Sequence, residues 1–382
     1  MVLVGTSVGL LVLGYSFVLV IDPYDVLAFS LRLERAPVDK QQRFFYPALA
    51  RKAKFDSAII GTSNVRLLEP ALLNPLFHSS FVNLAMNAAS AYEQSIIFDL
   101  FRRHHPEPKT VIFGIDYVWC YEEAFQKFLG ANRPSDLPQW MYDEDPYNDL
   151  PPLSSYTFKH AWRQLLYVSG LKKFKYGADG YTDFTWPMQR YDLAKARMNI
   201  YGSREPVAKR PVVPPVQLSA KQVAAMRFPA LPLLDAMLRA LPDSTMRILM
   251  FVPYHYYFQP AAGSELAIRW GECKRRVTEL ASAYPNSHVL DFMIESPITT
   301  RDANYWDHKH YTVRVAETLP ALLARGALTN DRDPNFVRLS PARETPAPTV
   351  EVAHLQDSPP SAARPPEADP TLPPNGPRTY GR

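Results

Sequence analysis

Cysteine is nearly absent from this chain of 382 residues: only Cys120 and Cys273 occur. Two cysteines exclude a disulfide-stapled scaffold and a thiolate metal centre. No local motif pairs them, so Cys120 reads as a small apolar filler, with a bond to Cys273 in an oxidising compartment as the lesser alternative. A large excess of charge of one sign is also lacking. The formal net charge is +4, and no basic stripe interleaved with aromatics stands out, which argues against a nucleic-acid partner. No carboxylate or cysteine cluster accompanies the single His308-x-His310 pair, so neither a metal nor another cofactor is implied. Internal repeats are missing as well.

The most informative absence is local. Val2 to Ile21 contains no charged residue, and Asp22-Pro23 ends the run. Twenty residues at the helical rise span roughly 30 Å, the thickness of a bilayer core. The run is longer than the apolar part of a signal peptide and shows no clear small-residue cleavage site, so an uncleaved transmembrane anchor over 1–21 is the expectation. No Lys or Arg precedes it, while Arg32, Arg35 and Lys40 follow. Read literally, the positive-inside rule would keep the following segment in the cytoplasm. The expectation is instead that a short basic leader precedes Met1 and that the domain lies on the periplasmic or extracytoplasmic side.

Residues 22–54 read as a charged linker without period. From 55 to about 330 the sequence alternates strand and helix signals. Strands are predicted at Ser57-Ala-Ile-Ile, from Phe81, over Thr110–Ile115, at Arg247–Val252 and at His288–Phe292. Helices are predicted from Pro70, over Ala91–His105, Ser219–Leu241, Ser264–Tyr284 and Thr312–Arg325. The stretch from about 120 to 217 breaks the rhythm. It is rich in Pro, Tyr, Trp and charge, with one plausible helix from Ser155 to Phe174, and reads as an insertion. Such alternation predicts an α/β fold, a flavodoxin-like three-layer core around a parallel five-stranded sheet. Residues 331–382 carry eleven prolines from Pro341 onward and read as a disordered tail.

Open α/β sheets place their sites past the carboxyl ends of strands. Gly61-Thr62-Ser63-Asn64 follows the first strand, where a hydroxyl at a helix start faces free N–H groups. A turn-and-cap role is the plain alternative for such residues. Trp306-Asp307-His308-Lys309-His310-Tyr311 lies between the last strand and the last helix. A serine hydroxyl needs a base; His310 suits that role, and Asp307, three residues away, suits orienting it. Pro253-Tyr254-His255 sits on the same rim, with His255 a candidate substrate contact or a hydrogen-bonded loop histidine. Tyr117, Trp119, Tyr121, Tyr254, Tyr256, Tyr257 and Trp306 crowd this rim, as a sugar-binding surface or as edge packing of the insertion.

Together the early Gly-x-Ser and the late Asp-x-x-His resemble the SGNH (GDSL-like) hydrolase superfamily over about residues 55–327, the insertion excepted. Asp22-Pro23-Tyr24, Gly61-Thr62-Ser63, Asn83-Leu84-Ala85 and Gly114-Ile115-Asp116-Tyr117 resemble its membrane-anchored envelope members, the alginate O-acetyltransferases and the D-alanyl transfer protein of lipoteichoic acid synthesis. The resemblance implies Ser63 as nucleophile, His310 as base and Asp307 as its orienting carboxylate. It also exposes departures. Thr62 stands where that family has Asp, no glycine occurs from Asn83 to Asn87, and Asp116 stands where the family has an oxyanion-binding Asn. The Ser63 N–H and the side chains of Asn64 and Asn87 are the substitute donors, and Asp116 is either near the substrate or a structural cap. The expected function is an anchored serine esterase or O-acyltransferase acting on acyl groups of an envelope glycan or polymer. The alternative is a catalytically inactive binding or scaffolding module with envelope-assembly partners.

Overall fold

The short apolar runs become the inner strands of one sheet. In this computed structural model the described residues are 2–340, except 28, 32, 39, 40, 122–136, 146–149, 174, 175, 186, 208, 209 and 211. The expected Pro-rich tail from 341 onward therefore lies outside the described residues, as does part of the insertion. The strands are β1 (Ser57–Ile60), β2 (Phe81–Asn83), β3 (Thr110–Ile115), β4 (Met246–Phe251), β5 (Ser287–Asp291) and β6 (Val337–Arg338), in the order β2-β1-β3-β4-β5-β6. The first five are parallel: Ser57 faces Phe81 on one side and Thr110 on the other. All six residues of β3 are buried, as expected for a strand with cover on both faces.

The sixth strand was not expected. It runs antiparallel to β5, with Val337 opposite Asp291, inside the stretch read as the start of the tail. Two residues carry no readable period. Their hold comes from neighbours: Phe336 is buried against Phe292, and Arg338 donates to the Gly326 carbonyl at 2.6 Å.

Most helices lie where the periodicity predicts. The helix over Ala91–His104 opens with a reciprocal capping box between Ser90 and Glu93. Glu265–Ser282 and Val313–Leu328 supply the later cover. The single helix expected over 219–241 is two, Ala220–Ala224 and Leu231–Arg239. Pro229 lies in the break and Pro232 in the first turn of the second helix, positions where a missing N–H breaks no intrahelical bond.

Residues 22–54 are not a slack linker. Asp22 accepts the N–H groups of Val26 (3.2 Å) and Leu27 (2.9 Å). Arg35, 3% exposed, donates to the Ile21 carbonyl at 3.0 Å and pairs with Asp25 at 2.8 Å. A helix over Gln42–Ala50 then buries Phe45, Tyr46, Leu49 and Ala50 in the main core. Asp22, Asp25 and Arg35, three of the charges that gave the stretch its linker-like look, are spent on capping and pairing.

Cys120 and Cys273 form a disulfide across 153 residues of sequence, with Cα atoms 5.5 Å apart and both side chains fully buried. The filler reading of Cys120 is thus corrected; the partner is too distant in sequence to be found by local pattern. The bond ties the short helix Tyr117–Cys120, just past β3, to the middle of Glu265–Ser282. Closing so long a loop restricts the unfolded chain. Cys120→Ser with Cys273→Ser is expected to lower unfolding free energy by about 2–5 kcal/mol, read by urea titration with and without reductant. Unchanged midpoints would refute this.

Among the described residues one helix, Val2–Ile21, is long and apolar enough to cross a membrane, a test that a signal sequence also passes.

Candidate active site

Two glycines set the depth of the serine turn. Gly61 directly follows β1 beside Gly114 of β3, and Val65 packs over both. A Cβ on Gly61 would stand 2.5 Å from a Val65 methyl, and one on Gly114 2.7 Å. Either side chain would lift the turn off the sheet. Seated this low, Ser63–Val65 forms one 3₁₀ turn. Thr62 and Asn64 are buried at 3% and 4% exposure, while Ser63 between them is half-buried.

Asp116 holds the two flanking residues. Its carboxylate accepts from the Thr62 hydroxyl, from Asn64 Nδ2 at 3.1 Å and from the Val118 N–H at 3.1 Å. Burial pushes this carboxyl above its usual pKa, against the pull of those three bonds. Asp116 is therefore a cap and a brace behind the turn, and the expectation that it contacts substrate is corrected: at 1% exposure it faces inward. Asn64 is corrected likewise. Its amide nitrogen is taken up by Asp116 and Thr62 (3.1 Å each).

The late motif is a closed loop. Tyr305 and Tyr311 form an antiparallel bridge, and the Trp306 N–H donates to the His310 carbonyl at 2.8 Å. Inside it, Asp307 Oδ1 accepts the N–H groups of Lys309 and His310, each at 2.8 Å. Its Oδ2 meets His310 Nδ1 at 2.8 Å, and His310 Nε2 lies 2.9 Å from Ser63 Oγ. Burial tends to raise the Asp307 pKa, but the His310 contact and the two N–H bonds outweigh it and hold the carboxyl down at about 2. The Tyr311 hydroxyl donates to the Asn64 carbonyl, fastening this loop to the serine turn.

The insertion clamps the same loop, a role no sequence pattern announced. Asn199 Nδ2 donates to the Trp306 carbonyl at 3.1 Å, and the Tyr191 hydroxyl donates to that of Tyr305 at 3.0 Å. Arg197 pairs with Asp302 at 2.8 Å. The Phe184 ring stands edge-on to His310 with centroids 6.1 Å apart, and Arg66 lies over its face at 4.7 Å.

The remaining candidates separate. Asn87 Oδ1 accepts from Arg66 at 2.8 Å, which leaves the amide nitrogen as the end free to donate elsewhere. His255 is 3% exposed, bonded to Asp302 at 3.2 Å and to the Tyr257 N–H at 3.2 Å; burial lowers its pKa. It is a structural loop histidine rather than a substrate contact. Trp119 and Tyr254 are core residues at 1% and 2% exposure, so the aromatic rim is in part core. Tyr257 packs on Tyr201 and Trp306 on Tyr191, contacts that belong to the insertion. His308 turns its Nδ1 toward the Asn199 carbonyl at 3.3 Å. Among the described residues no group of three or more His, Cys, Asp or Glu is placed to hold a metal ion.

Chemically, this is a chain of contacts able to draw a proton from a hydroxyl. Asp307 on Nδ1 selects the imidazole tautomer whose Nε2 is unprotonated and facing Ser63.

No protein-family model matches the chain, and no curated protein matches it. Among solved structures it is similar to one from Streptococcus pneumonia named a "putative platelet activating factor", with a TM-score of 0.36 and 11% identity, covering 75% of this chain and 92% of that one. Likeness at that level bears on neither site nor substrate.

Proposed function

We propose that this chain is a serine esterase or O-acyltransferase built on a flavodoxin-like, SGNH-type core. The observation that carries the reading is the unbroken relay from Asp307 to His310 (2.8 Å) to Ser63 (2.9 Å), assembled from turns 247 residues apart in sequence. The order β2-β1-β3-β4-β5 supports the core assignment, being the doubly wound order of flavodoxin-like sheets.

Ser63 Oγ attacks the ester carbonyl while His310 Nε2 takes its proton. Asp307, ionised, steadies the imidazolium. The oxyanion meets the Ser63 N–H, one of the first donors of a helical turn and without a partner inside it. The Asn87 amide is the second donor. Collapse breaks the ester C–O bond, and His310 returns the proton to the leaving oxygen. Water, or a sugar hydroxyl in a transferase, then resolves the acyl-serine by the same route in reverse.

Two of the three departures from the SGNH pattern fall on one contact. Thr62 replaces the acid before the serine, and Asp116 replaces the later Asn; here the hydroxyl of the first bonds the carboxylate of the second. Acid and donor have exchanged places across the turn. The carboxylate is thereby occupied by the Thr62 hydroxyl, Asn64 Nδ2 and the Val118 N–H.

The disulfide supports an oxidising, extracytoplasmic location for the domain, and the apolar first helix supports anchorage beside an envelope polymer. An acylated envelope glycan is the substrate this placement favours.

A fluorophosphonate probe tests the reading on detergent-solubilised full chain. We expect one adduct, on Ser63 by peptide mass spectrometry, absent in His310→Ala. Folded wild-type protein that takes no label would favour the scaffolding role instead.

A further inference from the structure

One helix of the insertion is inverted in part: it buries Ala161 and Tyr167, but polar residues beside them too, and leaves large aromatics outside. Over Ser155–Val168, Thr157, His160 and Gln164 are 0% exposed, whereas Phe158 is 46% and Trp162 51% exposed. A surface helix in water buries its apolar stripe and shows its polar one. Nearby Leu153 and Leu171 are still more open, at 61% and 78%.

The same helix lies against the end of Val2–Ile21. Val18, Ile21 and Ala161 form a small cluster of their own, with Tyr15, Phe17 and Leu165 packed on it. The Phe17 ring centroid is 5.5 Å from that of Phe158 and 6.4 Å from that of Trp162. The Tyr15 hydroxyl donates to the Pro151 carbonyl at 3.1 Å. The outward aromatic face therefore continues the open surface of the first helix, where Leu10, Leu11 and Leu13 are exposed too.

We propose that the helix Ser155–Val168 is a second membrane contact, seated in the interfacial layer with Phe158 and Trp162 toward the acyl chains. This rests on the reading of Val2–Ile21 as an anchor. Contact falls on the last turns of that helix, Tyr15 to Ile21, where a span of roughly 30 Å would leave the hydrocarbon core. Tryptophan and tyrosine suit that level, having apolar bodies and polar tips. Lys159, Lys172 and Lys173 are exposed on and just beyond the helix, matched to lipid phosphates. The occupant is thus a bilayer surface: the face is contiguous with a membrane segment and fringed by cations.

The test uses the full chain in phosphatidylcholine–phosphatidylglycerol vesicles, with lipids brominated high on the acyl chain or unbrominated. Trp162→Phe is compared with wild type, a change mild enough to keep the packing on Phe17. We expect bromolipid to quench part of the wild-type tryptophan emission and most of that quenching to vanish in the variant. Equal quenching in both would overturn the proposal and assign the face to a protein partner. Flotation after a carbonate wash separates the two failures. Protein that does not float refutes the anchor and this proposal with it; protein that floats with equal quenching refutes this proposal alone.

Discussion

Ser63→Ala should lower kcat for an activated acetyl ester such as 4-nitrophenyl acetate by about 10⁴- to 10⁶-fold, leaving the fold intact. The loss is large because in the proposed mechanism the hydroxyl is the attacking atom, and its neighbours have nothing to activate once it is gone. His310→Ala should fall equally far, and the double variant scarcely further. Residues that act as one unit do not contribute independently, so the second removal finds little left to lose. The turn itself should survive, because its seat depends on Val65 over Gly61 and Gly114 and on the Asp116 brace, none of which uses Oγ. Unchanged thermal melting with lost turnover is the expected pair of results. A Ser63→Ala enzyme within tenfold of wild type would remove the proposed mechanism.

Asp307→Asn should cost on the order of 10⁴-fold in kcat. The substituted amide would turn a donor toward His310 Nδ1, or leave it unpaired, and the imidazole would then carry its proton on the nitrogen facing Ser63. A protonated Nε2 cannot accept. The pH behaviour follows from the depressed acidity. With its folded-state pKa near 2 against roughly 3.9 when unfolded, the stability that ionised Asp307 contributes is present above about pH 4 and is lost as pH falls toward 2. Asp307 should therefore add no break to the kcat/KM profile at working pH, and any acid limb belongs to another group. Glu at 307 gives a sharper reading than Asn, since it keeps the charge and moves it. Partial activity with an unshifted profile is the expected result, and full loss would argue that distance matters more than charge. An Asn variant with near-wild-type turnover would show that His310 is oriented without the carboxylate.

Legibility followed distance along the chain. Ser57–Ile60 and Thr110–Ile115 announce themselves because a strand buried on both faces must be apolar throughout. Ser63, Asp307 and His310 could be paired in advance because the first sits in a short motif just past a strand and the other two in a short motif before the last helix, and only their meeting had to be supposed. What stayed hidden was set by partners with no local mark. The Cys120–Cys273 bond joins positions 153 apart. Asn199 and Tyr191 clamp the histidine loop from more than 100 residues away, from a stretch whose irregular composition conceals its use. Asn64 and Asp116 were misplaced for a different reason: a motif names residues but not the direction in which a side chain turns, and both turn inward to Thr62. Arg35 and Asp25 misled in the opposite sense, since charge suggests solvent until a helix end and a counter-ion absorb it.

The collar between the first helix and the sheet has a consequence for reach. Among the described residues, Arg35 grips the Ile21 carbonyl and the helix Gln42–Ala50 packs into the core, which ties the apolar segment to the domain. Anchored and acting as proposed, such an enzyme would not sweep a volume. It would work at one height above the lipid, so its turnover should track how densely polymer is laid down beside it rather than how much is present in bulk, and lengthening the collar with a flexible stretch should broaden what it attacks while slowing its attack on whatever now lies at that height.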